Sequence, residues 1–205
     1  MKRGDLQNLK KSADRLMNTK GRARGAGMKS YGAYILVEEG EKGLKELEAV
    51  MGEIGYPIKY KEIKTLGFYP IGMEAVTFVS IQLLFDYDEE KFRKMGGFEL
   101  SSSLLMKIFM KYFISLEKAA EELPRIWEQH FSLGSLKVIE LNKEKGYLTV
   151  RLTDFCIHPL HCTVLIGVLV NAVRMITKCK EVACEETKCM HRGDDCHEFL
   201  LKWRI

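Results

Sequence analysis

All six cysteines of this 205-residue chain fall between residues 156 and 197, together with four of its five histidines. The stretch contains Cys156, His158, His161, Cys162, Cys179, Cys184, Glu186, Cys189, His191, Cys196 and His197. Thiolate sulfur and imidazole nitrogen are soft or borderline donors, a set that suits zinc in a four-ligand tetrahedron. Disulfides are the competing use of cysteine. The N-terminus, Met1 to Leu6, lacks the apolar core of a secretory signal, and cysteines in a cytosolic protein are held reduced. The expectation is therefore a cytoplasmic protein with one structural zinc, since four protein ligands leave no open position. No metalloprotease helix motif, serine triad or phosphate loop is present, and the glycines of residues 21–27 lack the P-loop lysine spacing, so enzymatic chemistry has little sequence support.

These donors need elements to hold them. Pro159 suits a first helical turn, and Leu160, Val164, Leu165, Val168, Leu169, Ala172, Val173 and Ile176 form a broad apolar stripe behind it. Cys162 then lies in that first turn, where free backbone N–H groups and the helix dipole favour a thiolate. Alternation of period two predicts one hairpin from Leu136 to Thr153 and a second from Glu181 to Ile205 around Arg192-Gly193-Asp194. In the last strand His197, Phe199, Leu201, Trp203 and Ile205 share the apolar face, and Cys196 points away.

Upstream, periodicity predicts a helix over Tyr31 to Ile54, a short strand carrying Ile58, Tyr60 and Ile63, and a helix over Val76 to Phe85. A helix over Leu104 to Ile114 shows only a thin polar stripe at Lys107, Lys111 and Ser115. Its Met106, Phe109, Met110 and Phe113 are candidates to line an apolar ligand pocket, with plain core or a dimer interface as the alternative. A further helix runs from Leu116 to His130, broken at Pro124. The fold class expected is α+β, an antiparallel sheet of about four strands packed against a layer of helices.

At 46% hydrophobic residues the chain is globular, and the apolar run Val164 to Val173 is too short to cross a membrane. The net charge of +4 is unevenly placed: residues 1–30 hold nine basic residues against Asp5 and Asp14, so that segment carries +7 and the rest −3. A terminal helix with a flexible link over residues 21–27 is expected, then one globular domain over residues 31–205. Without aromatic residues for stacking, the basic segment predicts at most weak, nonspecific nucleic-acid binding.

Glu186-Thr187-Lys188-Cys189, Gly193-Asp194 and His197-Glu198-Phe199 resemble the closing motif of the 4-vinyl-reductase domain family, with Cys162 similar to its earlier ligand. The match covers mainly residues 125–205, and the N-terminal part looks like uncharacterised archaeal single-domain members. The resemblance implies a zinc held by Cys162, Glu186, Cys189 and the residue before Glu198-Phe199. That residue is His197 here, with Cys196 as alternate ligand. Strict alternation separates Glu186 from Cys189, so this set requires the strand to end or bulge near Thr187. The resemblance also implies the fold shared by nitric-oxide sensors and Golgi transport-particle subunits, and a homodimeric module that senses a small hydrophobic or aromatic molecule through a protein partner. A reductase or reductase accessory, or an assembly subunit, is the alternative.

Overall fold

The computed structural model describes residues 3–102 and 115–204. The chain divides into two compact units, residues 1–91 and 92–205.

The first unit contains helix α1 (Arg3–Met17), strand β1 (Arg22–Arg24), helices α2 (Gly25–Glu38) and α3 (Gly40–Glu53), a 3-10 turn at Tyr60–Glu62, strand β2 (Phe68–Pro70) and helix α4 (Ile71–Phe85). Apolar residues surround α4 on nearly every side, so it is the unit's central helix: Ile71, Ala75, Val76, Phe78 and Ile81 are all fully buried. Helix α1 packs on it through Leu9 and Ala13. The approach is close because position 72 is glycine; a methyl group there would sit 2.2 Å from the Leu16 carbonyl oxygen.

The flexible link expected over residues 21–27 is instead ordered structure. β1 pairs antiparallel with β2, Ala23 opposite Tyr69, and Ala23 is buried. Arg22 and Arg24 lie over the exposed Phe68 ring, at 5.8 and 4.6 Å from its centre. The single helix expected from Tyr31 to Ile54 is two helices, divided at Gly40 with its φ of +71°. The short strand expected around Tyr60 is the 3-10 turn. Tyr60 packs its side chain against Gly32 and places its hydroxyl 2.9 Å from Thr77 Oγ1, so burial rather than strand pairing sets this segment.

Glu74 lies inside this unit with its carboxylate against Gly27 and Tyr31, and burial pushes its pKa up to about 8. Because the folded state holds this proton more tightly than the unfolded chain, stability is greatest below the unfolded carboxylate pKa and declines as pH rises towards 8. Glu74→Gln keeps the shape and removes the titration. The variant should therefore lose the decline between about pH 5 and 8 and melt several degrees above the parent at pH 8. Thermal melts at the two pH values check this; equal slopes for parent and variant would refute it.

Helix α5 (Glu89–Ser102) leads into the second unit, which holds helix α6 (Leu116–His130), strands β3 (Ser135–Asn142) and β4 (Tyr147–Thr153), helix α7 (Pro159–Thr177), strand β5 (Val182–Lys188), a 3-10 turn at Met190–Arg192 and strand β6 (His197–Trp203). The sheet order is β3-β4-β6-β5 with every neighbouring pair antiparallel. The fold is α+β, with helices laid on an antiparallel sheet. α7 packs on β5 and β6, while α6 packs on β3. At 19 residues α7 is also long and apolar enough by composition to cross a bilayer, which the sequence reading denied; here Leu160, Val164, Ile166, Leu169 and Val173 are buried within the unit.

α5 and α7 meet through glycines. A methyl on Gly96 would sit 2.0 Å from the Val164 carbonyl oxygen, and one on Gly167 would sit 1.9 Å from that of Arg93. α6 continues through Pro124 without the expected break. Trp127 holds its later half: the indole stacks near Phe131 and Phe155 and donates to the Leu133 carbonyl at 3.0 Å. The expected Met/Phe helix, with Met106, Phe109, Met110 and Phe113, lies outside the described residues.

Candidate metal centre

Four side chains converge where the first turn of α7 meets the ends of β5 and β6. One donor atom from each of Cys162, Glu186, Cys189 and His197 lies within 4.8 Å of every other. Cys162, Cys189 and His197 are buried and Glu186 is nearly so.

Each is placed by local structure. Pro159 begins α7 and His158 caps it, its Nδ1 accepting the Leu160 N–H at 3.2 Å, which fixes where Cys162 emerges. On β5, Glu186 pairs with Phe199 and Lys188 with Glu198, so Thr187 is the extra residue of a bulge. This shift reverses the alternation and brings Cys189 to the face of Glu186 and His197. The turn then clamps Cys189, whose N–H donates to Asp194 Oδ2 at 2.7 Å and whose carbonyl accepts from Arg192 N at 2.8 Å. Gly193 supplies the left-handed residue, φ +98°.

His197 is oriented from behind. Its Nε2 lies 3.0 Å from the Phe155 carbonyl oxygen, which can only accept, so the ring proton is on Nε2 and the Nδ1 lone pair faces the cluster. Nδ1 stands 3.0 Å from Glu186 Oε1 and 3.4 Å from Cys162 Sγ. Arg192 holds the glutamate's other side, donating to its backbone carbonyl at 3.0 Å and lying 3.6 Å from Oε2.

The electrostatics describe a site rich in electron pairs. Burial pushes the Cys162 thiol far up, with the Glu186 and Cys189 charges adding to it, and burial also raises Cys189. Glu186 shows the opposite balance: burial works upward, but hydrogen bonds with His197, Cys162 and Cys189 outweigh it and hold the carboxyl low. Bringing a carboxylate, two sulfurs and a lone pair together calls for a cation, which would also reverse the penalty on the thiolates.

The other candidates lie elsewhere. Cys196, the residue before β6, is buried; burial and then Asp195 raise its thiol, and it is not one of the four. Cys179 lies near the Arg204 carbonyl, and Cys184 is half-buried with its thiol pushed up to about 12 by burial. His161 packs edge-on to Phe155, and burial pushes its pKa down to about 4. His130 ends α6. The sequence reading omitted the positioning groups, the Phe155 carbonyl, Arg192 and Asp194; of these only the Gly193-Asp194 turn left a visible signal.

No family model matches the chain, and no curated protein matches it. The 4-vinyl-reductase resemblance thus gains no support from family comparison. Solved structures do match. An H-NOX protein from S. oneidensis in the Fe(II)NO ligation state aligns with a TM-score of 0.67 at 13% identity, over 89% of this chain and 99% of that one. Unliganded Fe(II) H-NOX from K. algicida gives 0.63 at 10% identity, over 89% and 97%. A structure from a study of heme distortion in the H-NOX family gives 0.64 at 12% identity, over 89% and 95%.

These comparisons correct the cofactor expectation. The metal named for this fold is heme iron and not structural zinc, and the zinc assignment is withdrawn. The four-residue cluster does not fit a heme either: a porphyrin occupies four positions on its iron and leaves the protein only the axial ones. No histidine or cysteine precedes His130, so the first unit offers neither of those axial ligands. What the likeness shows is the fold, that of the H-NOX heme NO/O2 sensor domains.

Proposed function

We propose that this chain is a small-molecule-responsive sensor module that carries one transition-metal ion, not in a heme, on Cys162, Glu186, Cys189 and His197. The observation that carries it is the convergence of those four donors within 4.8 Å, on residues already oriented by Phe155, Arg192 and Asp194. The sensor half of the reading draws on the fold, which other proteins use to bind diatomic gases at heme iron. An ion held there would join α7 to the ends of β5 and β6. The signal then passes to a partner protein. The reductase alternative has no feature in its favour, since no dinucleotide-binding glycine fingerprint is present.

Elemental analysis of protein purified without added metal tests the first half, with one transition-metal ion per chain expected and none refuting it. For the second half, apolar and aromatic compounds screened by thermal shift should include some that raise the melting temperature with concentration. Phe109→Ala should change which compounds do so. A hit profile identical in parent and variant would remove residues 106–113 from the ligand site.

A further inference from the structure

Beside the four inner donors lies a second pair that the proposed centre does not use. Cys156 is the one exposed cysteine among the described residues, and its Sγ is 3.5 Å from Nδ1 of the half-buried His191. Two ligands of one tetrahedral ion, bound at roughly 2.0–2.3 Å, stand about 3.5 Å apart, so this separation, also that of a sulfur–imidazole hydrogen bond, matches the edge of a coordination tetrahedron. The pair is also tied to the inner set through the chain. Cys156 directly follows Phe155, whose carbonyl holds His197, and His191 lies two residues beyond Cys189. The His191 and His197 rings are 5.5 Å apart, centre to centre. Exposure falls in the same order, from Cys156 through His191 to the buried His197 and Cys189.

We infer that Cys156 and His191 form an outer, transient binding pair for a soft transition-metal ion, through which the ion reaches the four inner donors. The inference rests on the metal-site reading above. Capture replaces the thiol proton of Cys156, released to solvent, with a sulfur–metal bond. Transfer then exchanges outer ligands for inner ones stepwise: the Cys162 and Cys189 thiols lose their protons as they bind, Cys156 takes one back as its bond to the metal breaks, and the oxidation state of the ion does not change. The pair supplies the two donor types the ion keeps, so it need not be fully rehydrated between surface and interior.

The test uses the reduced, metal-free full chain and Co(II) alone as probe, with loading followed by the cobalt–thiolate absorption and release followed after adding a chelator. Cys156→Ser should reach the same final absorbance and one-to-one stoichiometry as the parent, while loading and release both slow by the same factor, about tenfold. Equal slowing is required because a group absent from the final state alters the barrier and not the equilibrium. Cys156→His, which restores a donor, should recover much of the rate.

Parent rates in Cys156→Ser would overturn the inference. So would a lower final affinity in that variant, which would make Cys156 a ligand of the finished site. Absence of any cobalt–thiolate band in the parent is a distinguishable failure, since it removes the inner site and the outer one with it.

Discussion

Cys162→Ser and Cys189→Ser should each lose bound metal and a large part of the stability of residues 92–205. Serine is nearly isosteric with cysteine but is a poor ligand for a soft ion at neutral pH, so each change removes one coordination bond and little packing. Ion binding of this kind is coupled to folding, and the loss should exceed tenfold in metal affinity and lower the melting temperature by roughly 10 °C. His197→Ala should behave alike, because its Nδ1 faces the cluster. Cys196→Ala is the contrast: its sulfur is not among the converging donors, so metal content should stay at the parent level. Elemental analysis with thermal melts decides the matter, and parent-like metal content in both serine variants would end the metal-site reading.

Gly167→Ala should be comparably damaging by a route that involves no metal. Its added methyl would meet the Arg93 carbonyl oxygen at 1.9 Å, and the matching change at Gly96 would meet that of Val164 at 2.0 Å. Both obstacles are backbone, which cannot rotate aside, so α5 and α7 must separate and lose contact along their crossing. A cost of about 3 kcal/mol or more follows, equivalent to a fall of roughly 10 °C in melting temperature. Gly52, in α3, has nothing within 4 Å of an added methyl. There the same substitution should stabilise by about 0.4–1 kcal/mol through the unfolded chain. Chemical denaturation of the three variants checks the signs, and a neutral Gly167→Ala would mean that the two helices are not held as closely as described.

The strands around the cluster were legible because period-two alternation is a strong local signal. It put His197 on the apolar face, and the conflict it raised between Glu186 and Cys189 marked the place where a bulge lies. The β1–β2 pair was not legible. Its strands are three residues each and lie more than forty residues apart, too short for any periodicity and fixed only by tertiary pairing. The division at Gly40 was legible only in part: Gly40 and Gly43 weaken the helical pattern, but the left-handed turn of the backbone at Gly40 leaves no mark of its own. Tyr60 reads as a strand residue by type, yet its place is set by the space Gly32 leaves open. The cofactor was the least legible of all. Cysteine, histidine and glutamate define a class of cation without naming one, and zinc entered through a resemblance that family comparison does not support.

The bulge at Thr187 makes length, rather than side-chain identity, the quantity this hairpin must preserve. Thr187 is exposed and Lys188 only half-buried, so both can change type freely as far as the cluster is concerned. Removing or adding one residue between Glu186 and Cys189 would instead restore even pairing and turn Cys189 to the opposite side of the sheet. In diverging copies of this chain the segment should therefore tolerate substitutions while rejecting insertions and deletions, the reverse of what an exposed edge strand ordinarily allows.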